Sequence, residues 1–510
     1  MPTFSRRDFL KLSALAPASA ALFPWLSNLI LPQRAGQETR PQNILIILFD
    51  AMTAKNLSLY GYPRDTTPNL NRFASRANVY HSHYSAGNFT IPGTTSLLTG
   101  LYPWTHRAIN EGGVMAKELV DRNIFRSVGN RYNRLTFAQN IWANFILNQF
   151  GQDINIRLSP ESFSAANGIV GSRFQNDPAG YHSFDDFLFK SSHTASLVFG
   201  TLQRLYVLRR VKQARETNSI QYPIGLPQTD NYPLLFTLED VFNGLIDSVK
   251  KINIPTFAYF HLFPPHEPYR PTQDFSLLFK DKYQPLDKPT HPLSHDVSRT
   301  FLIKSRRGYD QYIANIDFQF GRLLDALERS GFLENSVVVV TSDHGESFER
   351  GEQGHETPMM YGPVLHIPLL ISTPGQTTRN DIYQPTNSVD VLPTLVYLAG
   401  QPIPEWCEGE LLPGLGGEYD PQRSTFSVEA KQNSAFAPIK MGTIAMRKGP
   451  YKLIHYIGYK DGFDDAYELY DLENDPEEMT DLYQSEQVIA APLRDELLSK
   501  LSESNSHFKG

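Results

Sequence analysis

Four side chains of this 510-residue sequence have the types and settings that ester chemistry requires. Asp50 closes the apolar run NILIILFD, and Asp343-His344 close a second, SVVVVTSDH. Thr90 stands in NFTIPGTTSLLTGLYP, where a polar loop runs into a helix start. Two carboxylates, an imidazole and a hydroxyl, without thiolates, suit one divalent ion: Mn2+, Mg2+, Ca2+ or Zn2+, among which spacing does not choose. An ion touching Thr90 would lower the pKa of its hydroxyl and shield the charge of an incoming ester. His266, in FPPHEPY, and His355, in GEQGHETPMMYG, add donors for substrate oxygens or for a leaving group.

Thr90 has two readings on its own stretch. Pro92 is tolerated in a first helical turn, where its missing N–H has no intrahelical partner. Thr90 therefore lies at or near an N-cap. As a cap it would satisfy one of the free amides. As a nucleophile it would sit where the positive end of the helix attracts an anionic ester.

The elements that must position these residues follow from the hydrophobic pattern. The runs ending in Asp50 and Asp343 predict buried parallel strands whose terminal carboxylates meet at the C-terminal edge of one sheet. TFAYFHLFPP predicts a third strand leading to the loop with His266, and a further strand is expected at 135–139. Ile313, Ile316, Phe320, Leu323, Leu324 and Leu327 repeat at helical spacing, with Gly331 as the stop. Strands alternating with helices over about 400 residues mean an α/β fold around a largely parallel sheet. From about residue 422 the pattern changes to short antiparallel strands and a closing helix, a smaller α+β subdomain. Residues 150–235 carry no catalytic motif. Their stretch LVFGTLQRLYVLRRVKQARE mixes apolar and basic residues at helical spacing. It reads first as a surface helix of an inserted subdomain, and second as a membrane-facing basic helix.

Hydrophobic residues at 41% and charged residues at 20% are the balance of a globular protein. A net charge of −7 argues against nucleic acid as the main partner. The single cysteine, Cys407, excludes an intrachain disulfide and a cysteine-based zinc cluster. Near the start, SRRDFLKLSALAPASAALFPWLSNLILP sets Arg6-Arg7 ahead of Phe-Leu-Lys and an apolar stretch over 12–31. This resembles the twin-arginine export signal, so an exported protein is expected. Ala18-Ser19-Ala20 fits a cleavage site, but the apolar stretch runs past it, which leaves retention as an anchor open.

The chain from about residue 43 onward resembles the sulfatase family of the alkaline phosphatase superfamily. LYGYPRDTTPNLNRFA, TSLLTGLYPWTH, FPPHEPY, VVVVTSDHGESF, HIPLLISTPG, SVDVLPTLVYLAG and YELYDLENDPEE fall in family order. The resemblance implies a doubly wound sheet, a bound metal and a nucleophile acting on a sulfate or phosphate ester. It places Asp50, Asp343 and His344 at metal ligands and Thr90 at the nucleophile, which also touches the metal. His266 and His355 fall where groups contact the ester, and Asn110 resembles the oxyanion-binding asparagine of the phosphodiesterase-like members.

The departures from the family pattern carry information. Thr90-Ile91-Pro92-Gly93-Thr94 replaces the Cys/Ser-x-Pro-Ser-Arg string that is converted to formylglycine. The usual second aspartate is Ala51, and Gln139 and Ile141 stand in place of a Lys-x-His sulfate grip. The expectation is a metal-dependent hydrolase or transferase acting on phosphate mono- or diesters through a phospho-Thr90 enzyme. The alternatives are a sulfatase without formylglycine and an inactive binder of an anionic glycan or lipid. Small-molecule, glycan or lipid-headgroup esters are the expected substrates. The expected division is 1–41 for signal and linker, 42–421 for the catalytic domain with a variable insertion at 150–235, and 422–510 for the C-terminal subdomain.

Overall fold

Eight strands form the main sheet of the computed structural model, which describes residues 43–166, 183, 194–229, 234–460 and 462–508. The arginine pair, its apolar stretch and most of 167–193 within the insertion lie outside the described residues. The main-sheet strands are β1 (Asn43–Asp50), β2 (Asn78–Tyr80), β4 (Asn133–Ala138), β5 (Ile156–Arg157), β6 (Thr256–Pro265), β7 (Ser336–Ser342), β10 (Leu369–Ser372) and β11 (Asn380–Ile382). Their order is β11-β2-β10-β7-β1-β6-β4-β5, and only β10 pairs antiparallel to its neighbours. Two short pairs stand apart: β3 (His83–Tyr84) with β12 (Thr386–Asn387), and β8 (Ser347–Glu349) with β9 (Glu352–Gly354).

The helices used below are α1 (Thr90–Thr99), α2 (Ile141–Gln149), α3 (Thr194–Thr217), α4 (Leu238–Lys250), α5 (Arg299–Arg329), α6 (Val391–Leu398) and α7 (Gln487–Ser506). Helices α1, α2 and α6 cover one face of the main sheet and α4 and α5 the other, as its continuous apolar strands require. Ile44, Ile46 and Leu48 point into a layer with Ile91 and Leu97 of α1 and Leu392 and Leu395 of α6. Leu45, Ile47 and Phe49 point the other way, against Phe242 and Leu245 of α4 and the α5 stripe. That stripe is the predicted set, all buried, and Gly331 follows it at φ 67°.

A four-stranded antiparallel sheet closes the chain: β13 (Ser424–Glu429), β14 (Gly442–Lys448), β15 (Tyr451–Ile457) and β16 (Asp465–Asp471). It packs on Leu497 and Leu501 of α7 and, in the same core, on Ala86, Tyr102 and Trp104. The Val428 amide donates to the Ala86 carbonyl at 2.8 Å. The small sheet therefore anchors the loop that delivers Thr90.

Two fully buried histidines away from the sheet edge set an expected acid response. Burial pushes His83 down to about 4 and His106 down to about 3. His106 Nδ1 accepts from the Ala108 amide at 3.1 Å, so its proton sits on Nε2, 3.0 Å from Ser96 Oγ. A second proton would face that N–H. A folded pKa below the unfolded one makes the contribution complete above pH 6.5 and lost as pH falls. Each histidine is expected to cost roughly 2–3 kcal/mol of stability by pH 4.5. Urea unfolding across pH 7 to 4.5 checks this, with His106→Gln expected to flatten the slope by about one proton. An unchanged slope in that variant overturns it.

Candidate active site

Strand periodicity brings the site together. Ile44, Ile46, Leu48 and Asp50 share one face of β1, as Phe257, Tyr259 and His261 do on β6. Continuing Val337 and Val339 of β7 by the same period reaches Asp343, just past the strand end. Asn140 lies two residues past Ala138 of β4. Four neighbouring strands, β7-β1-β6-β4, thus supply Asp343, Asp50, His261 and Asn140 at one edge.

The helix start completes it. Thr90 is the first residue of α1, and Phe89 is the N-cap, with no side-chain cap bond. Thr90 is therefore not a capping threonine. Its Oγ1 lies 3.5 Å from His344 Nε2 and accepts from Asn140 Nδ2 at 3.2 Å. Gly93 permits this approach: a Cβ there would stand 2.3 Å from the Asp343 carbonyl oxygen. One turn on, Thr94 Oγ1 donates to Asp343 Oδ2 at 3.3 Å.

Asp50, Asp343, His261 and His344 are all completely buried. One ligand atom each from Asp50, His261 and Asp343 lies within 4.8 Å of the others. Asp50 Oδ2 is 3.1 Å from His261 Nε2 and accepts from Asn140 Nδ2 at 2.5 Å. His344 Nε2 stands 3.3 Å from Asp50 Oδ1 and 3.7 Å from Asp343 Oδ2. His344 Nδ1 donates to the Gly345 carbonyl at 3.0 Å, and His261 Nδ1 is 3.0 Å from the Tyr259 hydroxyl. Both rings thereby turn Nε2 toward the carboxylates, the orientation of a ligating histidine.

The titration of this cluster shows how crowded its charges are. Burial pushes the Asp50 carboxyl up, but the His261 hydrogen bond and the His344 imidazole beside it prevail and hold it well below the ordinary range. Burial and the charge of Asp50 raise Asp343. Burial lowers His344, yet the two aspartates lift it to about 9. Asp50 Oδ1 is buried with no hydrogen-bond partner. A divalent cation would satisfy that oxygen and both carboxylates at once, and the donors are of the nitrogen and oxygen type such ions take. The residues fit the ion.

A cavity of about 440 Å3 opens on Thr90, Asn140, His266 and His355, with Phe89, Trp142 and Phe263 in its wall. The His355 ring lies 4.2 Å from that of His344, tilted by 37°, and 4.9 Å from that of His266, edge to face. His355 Nδ1 pairs with Glu346 Oε2 at 2.8 Å, and Tyr269 donates to the other Glu346 oxygen at 3.0 Å. Burial raises Glu346 to about 7, and burial, with the charges of His344 and His266, drives His355 well below its usual value. Among the described residues, neither lysine nor arginine lines the cavity.

The structure therefore brings together Asp50, Thr90, Asp343 and His344, with His266 and His355 beside them. Asn110 is not with them. Its amide donates to the carbonyls of Lys431 at 2.7 Å and Asn433 at 2.8 Å, so both hydrogens are spent pinning a C-terminal loop. Asn140 stands at Thr90 instead. His261, also missed by the sequence reading, joins Asp50 and Asp343 in the group that could hold an ion. Ala51 itself takes a left-handed turn, φ 59°, its carbonyl accepting from Tyr309 at 2.6 Å. Gln139 Oε1 accepts from the Phe263 amide at 3.1 Å, and Ile141 lines the cavity without charge.

This arrangement has known relatives. The pattern of the Sulfatase family matches residues 42–140 and 181–401, most of the chain. The chain belongs to the sulfatase family. A second pattern, N-sulphoglucosamine sulphohydrolase, C-terminal, matches residues 351–507. Choline-sulfatase of Rhizobium meliloti is 25% identical over 474 residues, 87% of this chain and 83% of that one. The Ulvan-active sulfatase of Formosa agariphila is 24% identical, across 81% and 73% of the two chains. In three dimensions the phosphonate monoester hydrolase of Agrobacterium radiobacter superposes with a TM-score of 0.67 at 18% identity, covering 91% of this chain and 96% of that one. The fold is that of the alkaline phosphatase superfamily, and the protein is an ester hydrolase of a family whose enzymes bind a divalent metal.

Proposed function

We propose that this enzyme cleaves phosphate mono- and diesters through a phospho-Thr90 intermediate. The observation that carries the reading is the Thr90 hydroxyl: at the first residue of a helix, uncommitted to capping, and touching both Asn140 and His344. Asp50, Asp343, His261 and His344 would hold a divalent ion, which would lower the hydroxyl pKa and supply a counter-charge for the ester. Asn140, donating to Asp50 and Thr90, fixes the nucleophile's direction. The helix start adds its amides and partial positive charge. The Thr90 hydroxyl gives up its proton to solvent, its oxygen forms the bond to phosphorus as the bond to the alcohol oxygen breaks, and His266 protonates that leaving oxygen. Water then breaks the Thr90 O–P bond, releasing phosphate from a monoester substrate or a phosphate monoester from a diester; an alcohol in its place would carry the phosphoryl group away as a new ester.

A cavity lined by His266, His295 and His355 together with Glu267, Glu352 and Glu356, without lysine or arginine, suits a singly charged diester better than a dianionic monoester. The phosphodiester of a given leaving group is therefore the favoured substrate. The test compares phosphate monoester, phosphodiester and sulfate ester of one aryl alcohol. Phosphate is expected to lead sulfate by at least about tenfold in kcat/KM, or about 1.4 kcal/mol. A sulfo-threonine would lack the C–O cleavage by which an aldehyde hydrate expels sulfate. Faster sulfate turnover that survives Thr90→Ala overturns the proposal. It would favour the second reading, a sulfate ester hydrolase without formylglycine, which the names of the choline- and ulvan-active relatives support.

A further inference from the structure

Helix α3 is built inside out. Ser196, Gln203 and Ala214 are its buried residues, and with Gly200, Val207 and Val211 they form a stripe of small or polar side chains and two valines. The large apolar side chains face outward instead. Leu197 is 73% exposed and Leu205 59%, and Val198, Phe199, Leu202 and Leu208 are each about half exposed. A packed helix buries such residues, since each is worth about 1.5–3 kcal/mol out of water. Exposed large hydrophobics on one helix in a described surface mark a docking face.

The charge pattern says what docks there. Arg204, Arg209, Lys212 and Arg215 are exposed on the same helix, and Glu216 is its only acid. Arg209, Lys212 and Arg215 lie in its C-terminal half and Arg204 near its middle, while apolar residues dominate its first three turns. This local excess stands against a net charge of −7 for the whole chain. A protein partner of matching shape would need both an apolar groove and an acidic rim in register. An anionic bilayer offers both without register: an acyl boundary for the leucines and phosphates for the arginines.

We propose that α3 docks this enzyme on an anionic lipid surface, with Leu197, Val198, Phe199, Leu202 and Leu205 at the acyl boundary and the arginines and lysine at the headgroups. No helix among the described residues is long and apolar enough to cross a membrane, so the contact is interfacial. It does not depend on the chemistry proposed for Thr90.

The test is flotation of the full chain with phosphatidylglycerol–phosphatidylcholine vesicles and with phosphatidylcholine vesicles. Leu202→Glu/Leu205→Glu and, separately, Arg204→Gln/Arg209→Gln are compared with the parent. All carry the same 12–31 stretch, so differences report α3. Each pair is expected to weaken binding to the anionic vesicles by at least about tenfold. Turnover of a soluble ester should be unchanged, which shows the variants fold. Equal binding of parent and variants overturns the proposal, as does equal binding of the parent to neutral vesicles. Loss of self-association in sedimentation, with vesicle binding intact, would assign the face to a second copy of the chain and also overturn it.

Discussion

Thr90→Ala is expected to lower kcat by at least a thousandfold, about 4 kcal/mol of transition-state stabilisation, with metal content within a few-fold of the parent. The hydroxyl has no structural duty that would confuse the result. It does not cap α1, and its partners Asn140 and His344 keep their other contacts, to Asp50 and to Gly345. Thr90→Ser retains the oxygen and is expected to retain measurable turnover, because removing one methyl group leaves the attacking atom in place. In the parent, rapid quenching during phosphodiester turnover should trap a phosphoryl group, and peptide fragmentation should place it on Thr90. Activity of Thr90→Ala within tenfold of the parent would mean that water attacks the ester directly and that the threonine only lines the pocket.

What the sequence made legible were the residues that break a pattern. Asp50 follows an unbroken apolar run and Asp343-His344 a valine run closed by Thr341-Ser342, and a charge at the end of a buried parallel strand has only the sheet edge to occupy. His261 breaks its run less visibly. It sits among Phe257, Tyr259 and Phe260, and the eye passes on to His266 in the proline loop. The signal was there in the alternation: Phe257, Tyr259 and His261 occupy one face, the same face as Asp50.

Asn140 was hidden for another reason. It reads as an ordinary cap of α2, and it is one: its Oδ1 accepts from the Trp142 amide at 2.8 Å. The same side chain spends its Nδ2 on Asp50 and Thr90. Asn110 misled because the family resemblance located it by its distance past Thr90. A distance along the chain from Thr90 carries no information about which strand edge a residue reaches. The inverted exposure of α3 was likewise illegible, because apolar and basic residues alternate there without a face that composition could assign to the interior.

The ligand set yields the other large effect. Asp343→Asn is expected to weaken metal binding a hundredfold or more and to remove most activity, and His261→Ala to weaken binding by about 10–100-fold. Asparagine keeps the shape of Asp343 and the contact from Thr94 but removes one of two buried charges, so the fold should survive. Loss of His261 takes away an imidazole held in place by Tyr259 between both carboxylates. The readout is elemental analysis after gel filtration, joined to the rise in Tm when Mn2+ is added to chelator-treated protein. Metal that binds only the folded state at a hundred times Kd contributes about 2.7 kcal/mol, and a hundredfold weaker site forfeits most of it. Asn110→Ala, which disturbs only the 431–433 loop, should keep the full metal-induced rise. Full occupancy and an unchanged rise in Asp343→Asn would remove the metal from this edge. Full occupancy in His261→Ala alone would leave Asp50, Asp343 and His344 as the ligands and make His261 the buried partner that keeps Asp50 ionised.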